Sequence, residues 1–423
     1  MKKLLLMILA VAGYVGTANA WNDMYLICDQ NGNWSNTSFN SNFKFTKISD
    51  NDYRIYIPGS YVNNGSWYFR FRDKDDNNWG NICPDADDDR NVTNIAATTN
   101  WQNSDARSFY VEQNANAKWV VISATYKEET TGNWMWYVKA TYIEDFYTIG
   151  FINSDNWPNV YVYAYDNQGV PCHGVWHGTA MTANGNIFTV EVPQGCKVIF
   201  NNNDNSQYPA NDGFEVTADR IFDNNGIHTV TASAGTYGMA TLSSEYALDF
   251  TGITGVNAYT ITGADKTTGE LTKTPVTGKV KAGTGLYIEG NQGASAVIPT
   301  TICTEEATGN MLVAATTEKT ISQVDGSYTN YILTVNKADD DVDTPKFFKV
   351  NTAGNTVLAG KAYLQIPTTE AARMSFWFND SVSAIEGVEQ ASMDGPVYNV
   401  AGQRVAQPVK GLYIANGKKF IKK

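Results

Sequence analysis

The sequence predicts an all-β protein made of tandem antiparallel β-sandwich modules, beads on a string, ending in a small C-terminal β-hairpin tail. Two observations carry this. Short runs alternate apolar and polar residues nearly everywhere, as in Asp52-Tyr53-Arg54-Ile55-Tyr56-Ile57, and Asn, Asp and Gly turns separate them. Period two marks a strand with one face in a core and the other in water, and the 3.6-residue period of an amphipathic helix is missing. The second observation is length: 423 residues at ~150 per domain make two to four modules, each large enough to bury its own core. Residues 368–373 (TTEAAR) read as the one short helix.

Taken in order, residues 1–20 read as a secretory signal. Lys2 and Lys3 precede an apolar run from Leu4 to Ala12, and Ala18-Asn19-Ala20 is a small-residue cleavage site. The residue directly after the cut is Trp21 rather than a cysteine, which argues against a lipid anchor, and no later run approaches the ~18 apolar residues of a membrane-spanning helix. The expected destination is the medium or the outer cell surface. Residues 21–144, rich in Trp, Asn and Asp, form a first sandwich, and residues 145–232, with a dense Tyr and Trp cluster, form a second. Residues 233–383, rich in Thr, Gly, Ala and Val, read as a spacer sandwich, and 384–423 as a basic-ended tail. Of the eleven tryptophans only Trp377 lies beyond residue 176, so the aromatic wealth belongs to the first two modules. Those two also share a local pattern: a turn, a strand ending in Pro58 or Pro193, a second strand, a polar loop and an aromatic residue. Two diverged copies of one unit would explain it.

Charge and composition exclude several functions. With 31 basic and 43 acidic residues the net charge is -12, which argues against a nucleic-acid or anionic-membrane partner, since either would need a basic patch. Five cysteines, at 28, 83, 172, 196 and 303, are an odd number, and spacing alone establishes neither a Cys28–Cys83 nor a Cys172–Cys196 pair. His173 and His177 are four apart, but in a hairpin rather than on a helix, so helical zinc geometry does not apply. Asp73, Asp75 and Asn77 have the alternating oxygens of a calcium loop, with Asp87, Asp88 and Asp89 nearby, but lack its Gly and terminal Glu in register. No cofactor is expected, calcium being the one ion left open. Gly283-Thr284-Gly285 lacks the setting of a dinucleotide loop, and no region has the length or helices of the common glycosidase folds.

The chemistry concentrates in Tyr161-Val162-Tyr163-Ala164-Tyr165, followed by Trp176-His177-Gly178. On a strand Val160, Val162 and Ala164 share one face and the three tyrosines the other. The small apolar set suits a core, which leaves a tyrosine stripe outside. A flat aromatic ring covers the C–H face of a pyranose, and the Asn-rich loop 201–209 supplies donors and acceptors for hydroxyls. A neutral ligand of many hydroxyls fits. The competing reading is that these aromatics fill the core.

Residues 145–231 resemble a family 26 carbohydrate-binding module, a starch-binding β-sandwich. The residues that carry the resemblance are Phe151 to Trp157, Val160 to Tyr165, Val175 to Met181, and Val198 to Asn202 with Gln207 following. The resemblance implies that Tyr163, Tyr165 and Trp176 cradle a curved α-1,4-glucan and that Gln207 bonds its hydroxyls. Where the family usually has W-P-G, this chain has Trp176-His177-Gly178. Residues 21–144 are more loosely similar to glycan-binding modules of gut Bacteroidetes surface proteins, through Tyr25-Leu26-Ile27, Trp34, Tyr68 to Arg72 and Trp79. If they also bind glycan, Trp34, Trp67 and Trp79 are the candidate platforms, with Arg70 as a hydroxyl partner. The tail, from Pro396 to Val405 and Lys410 to Lys423, resembles a short form of the sorting segments read by type IX secretion machinery, which makes that machinery or the outer-membrane surface an expected partner. The reading that follows is a non-catalytic protein that captures starch, glycogen or malto-oligosaccharide. The alternatives are a surface adhesin or structural protein without sugar binding, and an accessory subunit of an amylase system.

Overall fold

The computed structural model describes residues 23–34, 39–74, 82–84, 90–93, 97–99, 107–335, 344–378, 397–399, 403–405, 411–415 and 418–422. The expected signal segment and the acidic stretches 75–77, 87–89 and 339–343 lie outside them.

The first sandwich comprises β1 (Met24–Ile27), β2 (Thr46–Lys47), β3 (Asp52–Pro58), β4 (Trp67–Asp73), β5 (Ala97–Thr99), β6 (Phe109–Val111), β7 (Trp119–Thr130) and β8 (Asn133–Ile143). One sheet runs β1-β4-β6 and the other β2-β3-β7-β8-β5. Alternation decides what faces inward: Tyr53, Ile55 and Ile57 on β3 and Trp67, Phe69 and Phe71 on β4 are buried in one core with Trp136 of β8. Each such side chain contributes ~1.5–3 kcal/mol on burial.

The second sandwich comprises β9 (Phe146–Phe151), β10 (Tyr161–Tyr165), β11 (Thr179–Ala180), β12 (Thr182–Asn184), β13 (Ile187–Pro193), β14 (Lys197–Asn201), β15 (Gln207–Tyr208), β16 (Phe214–Glu215), β17 (Ile221–Asp223) and β18 (Gly226–Ile227). Its sheets run β11-β10-β14-β15, with β16 also on β14, and β12-β13-β9-β17-β18. Phe151, Val160, Val162, Ala164, Val198, Phe200 and Phe222 fill the space between them. The two sandwiches do not share the topology that their local resemblance predicts. In the first, β1 pairs with β4, the strand after the Pro-ended strand; in the second, β9 pairs with the Pro-ended β13 itself and, in parallel, with β17. A short alternating strand with a turn at each end encodes which face is buried, not which neighbour it pairs with.

The first two sandwiches touch. The Arg54 guanidinium lies 3.0 Å from Asp166, Tyr56 Oη donates to the same carboxylate oxygen at 3.3 Å, and Lys118 pairs with Glu191 at 2.7 Å. A third core, with Leu248, Ile288 and Ile298, follows. There Thr229–Ser233 pairs with Ser295–Thr301, which pairs with Ala247–Asp249. Arg220 of the second sandwich reaches Asp249 at 2.8 Å, both side chains being largely buried. These sandwiches belong to one compact unit, made of the chain up to Thr260 with 274–320 and 356–363.

The second unit takes residues 261–273, 321–355 and 364 onward. In it Tyr328–Thr334 pairs with Lys346–Lys349, and that strand with Ser375–Phe376, around buried Tyr331, Phe347 and Phe376. The helix expected at 368–373 is a turn instead. Tyr331 Oη and Lys349 Nζ both donate to the Ala371 carbonyl, which ties this turn to the strands beside it. At the C-terminus Gly411–Ala415 and Lys418–Lys422 form the expected hairpin, and Val397–Asn399 adds a third strand.

Candidate functional site

Strand β10 sets the site. Val162 and Ala164 are fully buried, while Tyr161, Tyr163 and Tyr165 lie half-buried on the opposite face. Tyr163 and Tyr165 have ring centroids 5.6 Å apart and 32° between planes. Trp176, 43% exposed, stands edge-on to Tyr163 at 5.3 Å and 71°. Two tyrosine rings and one indole thus line one side of the sheet. An angled aromatic pair of this kind presents a curved apolar surface, which suits the C–H faces of successive sugar rings better than a flat ligand.

The hairpin that carries Trp176 is held at several points. Asp166 caps its turn, with Oδ1 accepting from the Gln168 and Val170 amides at 2.9 and 3.0 Å. Cys172 N donates to Ala164 O at 2.7 Å. Beyond the indole, buried Asn201 donates from Nδ2 to the His177 carbonyl at 3.0 Å. Gly178 has φ of +88°, and a Cβ there would sit 1.9 Å from the Val162 carbonyl oxygen, so only glycine lets the loop lie against β10. The Trp176–His177 peptide bond is cis. The Cys172 and Cys196 sulfurs, both buried, are 3.0 Å apart beneath the hairpin.

Tyr165 is fixed at its far end. Its Oη donates to Asp212 Oδ1 at 2.7 Å and accepts from the Gly213 amide at 2.7 Å, and Lys197 Nζ lies 2.5 Å from Asp212 Oδ2. The lysine, with Tyr165 helping, holds the Asp212 carboxyl below its ordinary range. Burial raises the Tyr163 phenol, and it raises Tyr165 with Asp212 adding to the effect and the Gly213 amide opposing it. Both phenols are therefore neutral at pH 7, and the single proton of Tyr165 Oη is the one donated to Asp212. Gln207 lies on the tyrosine face, through the register Tyr161–Asn201–Gln207, but its Nε2 donates to the Pro209 and Ala210 carbonyls, both at 3.1 Å. That leaves Oε1 as its acceptor.

Of the four implied residues, Tyr163, Tyr165 and Trp176 come together and Gln207 shares their face at a distance. Asn201 was named only as part of the loop 201–209 expected to meet hydroxyls, whereas it holds the Trp176 loop; Asp212 and Gly213 were not singled out by sequence, the Asp-Gly turn being their only sign.

The candidates in the first sandwich separate. Trp67 is a core residue, only 5% exposed, stacked on Phe69 at 5.1 Å with its Nε1 donating to Gln30. Its strand parity places it inward with Phe69 and Phe71, which removes it as a sugar platform. Trp34 is half-buried, with the Arg70 guanidinium over its ring at 5.3 Å, and Arg70 Nε donates to Ser108 Oγ at 3.1 Å. Trp79 lies outside the described residues. A cleft of about 840 Å³ lies where the first two sandwiches meet, lined by Tyr56, Trp119, His173 and Glu191 among others. Among the described residues no cluster of three or more His, Cys, Asp or Glu is placed to hold a metal, and no helix is long and apolar enough to cross a membrane.

No curated protein matches the chain. The model of starch-binding module 26 matches residues 149–213, the stretch from within β9 to the Asp212–Gly213 turn that fixes Tyr165, so one domain of this larger chain is similar to starch-binding modules and carries an aromatic cluster of the kind on which sugar rings stack.

Proposed function

We propose that the protein is an exported, non-catalytic α-glucan-binding protein that captures starch, glycogen or malto-oligosaccharides on the face formed by Tyr163, Tyr165 and Trp176. The observation that carries this reading is the coincidence of the cluster of exposed Trp176 with half-buried Tyr163 and Tyr165 and the matched starch-binding stretch. In this reading the three rings stack on the C–H faces of consecutive glucose units. Tyr165 Oη, Asp212 and Gln207 Oε1 meet hydroxyls at the border, and the neutral phenols add no charge that an uncharged polymer would have to desolvate. The basic, apolar and small-residue order of 1–20 supports export, and the tail from Pro396 would serve sorting.

Electrophoresis in native gels containing starch, glycogen, mannan or cellulose tests this. Migration should be retarded by starch and glycogen only, with apparent affinity reduced at least ~10-fold in Trp176→Ala and in Tyr165→Ala, the loss expected when one stacking contact of ~1.4 kcal/mol or more is removed. No retardation by any glucan would sink the proposal. Release of new reducing ends from an α-glucan by the purified protein would overturn the non-catalytic part.

A further inference from the structure

Among the described residues five aromatic side chains are exposed: Tyr68, Trp176, Tyr237, Tyr328 and Tyr398. Only two of the five stand in ring contact with another aromatic. One is Trp176, in the site above. The other is Tyr68 of β4, as exposed as Trp176 at 43%, with the half-buried Tyr110 of β6 beside it at 5.7 Å and 41°. The Tyr163–Tyr165 pair has nearly the same geometry, 5.6 Å and 32°.

The residues around this pair follow from strand parity. Tyr68 is directly opposite Tyr110 in the antiparallel β4–β6 ladder, and Tyr110 bridges to Asn91, so the three form a row on the outer face of the sheet. Residues two away share that face. On β4 this is Arg70, which bonds Ser108, and just past the end of β6 it is Glu112, whose Oε1 accepts from Asn91 Nδ2 at 2.7 Å. Trp34 covers the Arg70 guanidinium at 5.3 Å. The inner face of the same strands holds Trp67, Phe69, Phe71, Phe109 and Val111 in the core. Tyr68 and Tyr110 are therefore surplus to the packing of the sandwich. What they present is two angled rings with an amide–carboxylate pair on one flank and an arginine on the other, the same combination of apolar platform and hydrogen-bonding border that Tyr163, Tyr165, Asp212 and Lys197 make in the second sandwich.

We infer that Tyr68 and Tyr110, bordered by Asn91, Glu112 and Arg70, form a second binding platform for a neutral, hydroxyl-rich glucan. The inference rests on the function proposed above for its ligand class. Two weak platforms on one chain raise the avidity for a polymer through effective concentration.

Isothermal titration with maltohexaose and retention in starch gels, on the full chain, test it. The expected stoichiometry is two maltohexaose per chain, falling to one in Tyr68→Ala/Tyr110→Ala and to one in Trp176→Ala, with apparent affinity for starch at least ~10-fold weaker in each. Tyr68→Phe, which keeps the ring, should retain both equivalents and shows that any loss is not a folding defect; circular dichroism of the alanine variants checks the same point. Wild-type stoichiometry and retention in both Tyr68→Ala and the double variant would overturn the second platform while leaving the first intact. The opposite pattern, loss with Tyr68→Ala and none with Trp176→Ala, would overturn the site in the second sandwich and leave this one standing. No binding by the wild-type chain would overturn both.

Discussion

At the scale of single residues, the site depends most on a position that touches no ligand. Gly178 brings the Trp176 loop against β10 at a distance where any Cβ would overlap the Val162 carbonyl, and it does so at a φ that side-chain-bearing residues rarely adopt. Gly178→Ala should destabilise the protein by about 2 kcal/mol through the backbone clash and lift Trp176 off Tyr163, weakening α-glucan binding at least as much as Tyr165→Ala. Thermal unfolding and titration with maltohexaose check the two parts separately. The tyrosine stripe was legible in the sequence because strand parity needs only a local pattern. Trp67 was not, because a tryptophan reads the same on either face until the register is known, and Tyr110 was overlooked because its strand is only three residues long. Asp212 and Gly213 could not be linked to Tyr165 by spacing, since they are 47 and 48 residues away and meet it through tertiary contact.

At the scale of elements, the hairpin between β10 and β11 is the piece that joins packing to function. His173 on it is edge-on to Trp119 of β7 at 5.3 Å, with Nε2 2.6 Å from the Glu191 carbonyl. Burial lowers its pKa below the ordinary 6.5, the Glu191 carbonyl opposing the shift. As pH falls through 6.5 the unfolded chain takes up a proton that the folded chain refuses, so the unfolded state binds more protons and stability declines. The contribution of His173 is thus fully present above pH 6.5 and is lost as pH drops from 6.5 toward its folded value. The melting temperature should fall between pH 7.5 and 5.5, and His173→Gln, which keeps a donor for the carbonyl but does not titrate, should flatten that slope. Equal slopes in the two proteins would refute the assignment. The all-β class and the hairpin tail were readable from alternation and turns. The pairing order was not, which is why two similar local patterns became two different topologies, and the segment expected as a helix at 368–373 is a turn tied by its Ala371 carbonyl to Tyr331 and Lys349.

At the scale of the whole molecule, the sandwiches of the first unit are joined by buried polar contacts rather than by linkers alone. Arg220 and Asp249 connect the second and third cores, with Thr301 Oγ1 donating to the Asp219 carbonyl at 2.8 Å beside them. Removing one member of a buried pair leaves the other uncompensated, so Arg220→Ala should cost about 3 kcal/mol and, in calorimetry, split off a lower-temperature transition for one of the two sandwiches. A transition unchanged in shape and midpoint would show that the pair does not couple them. Asp166 is the corresponding contact between the first and second sandwiches, and its two oxygens have different tasks: Oδ1 closes the turn of the hairpin that carries Trp176, and Oδ2 receives Arg54 and Tyr56 from β3. One carboxylate therefore links the shape of the Trp176 loop to the footing of the neighbouring sandwich. A load applied to the first sandwich would reach the base of the Trp176 hairpin through it, which makes Asp166 a mechanical joint between the two sandwiches.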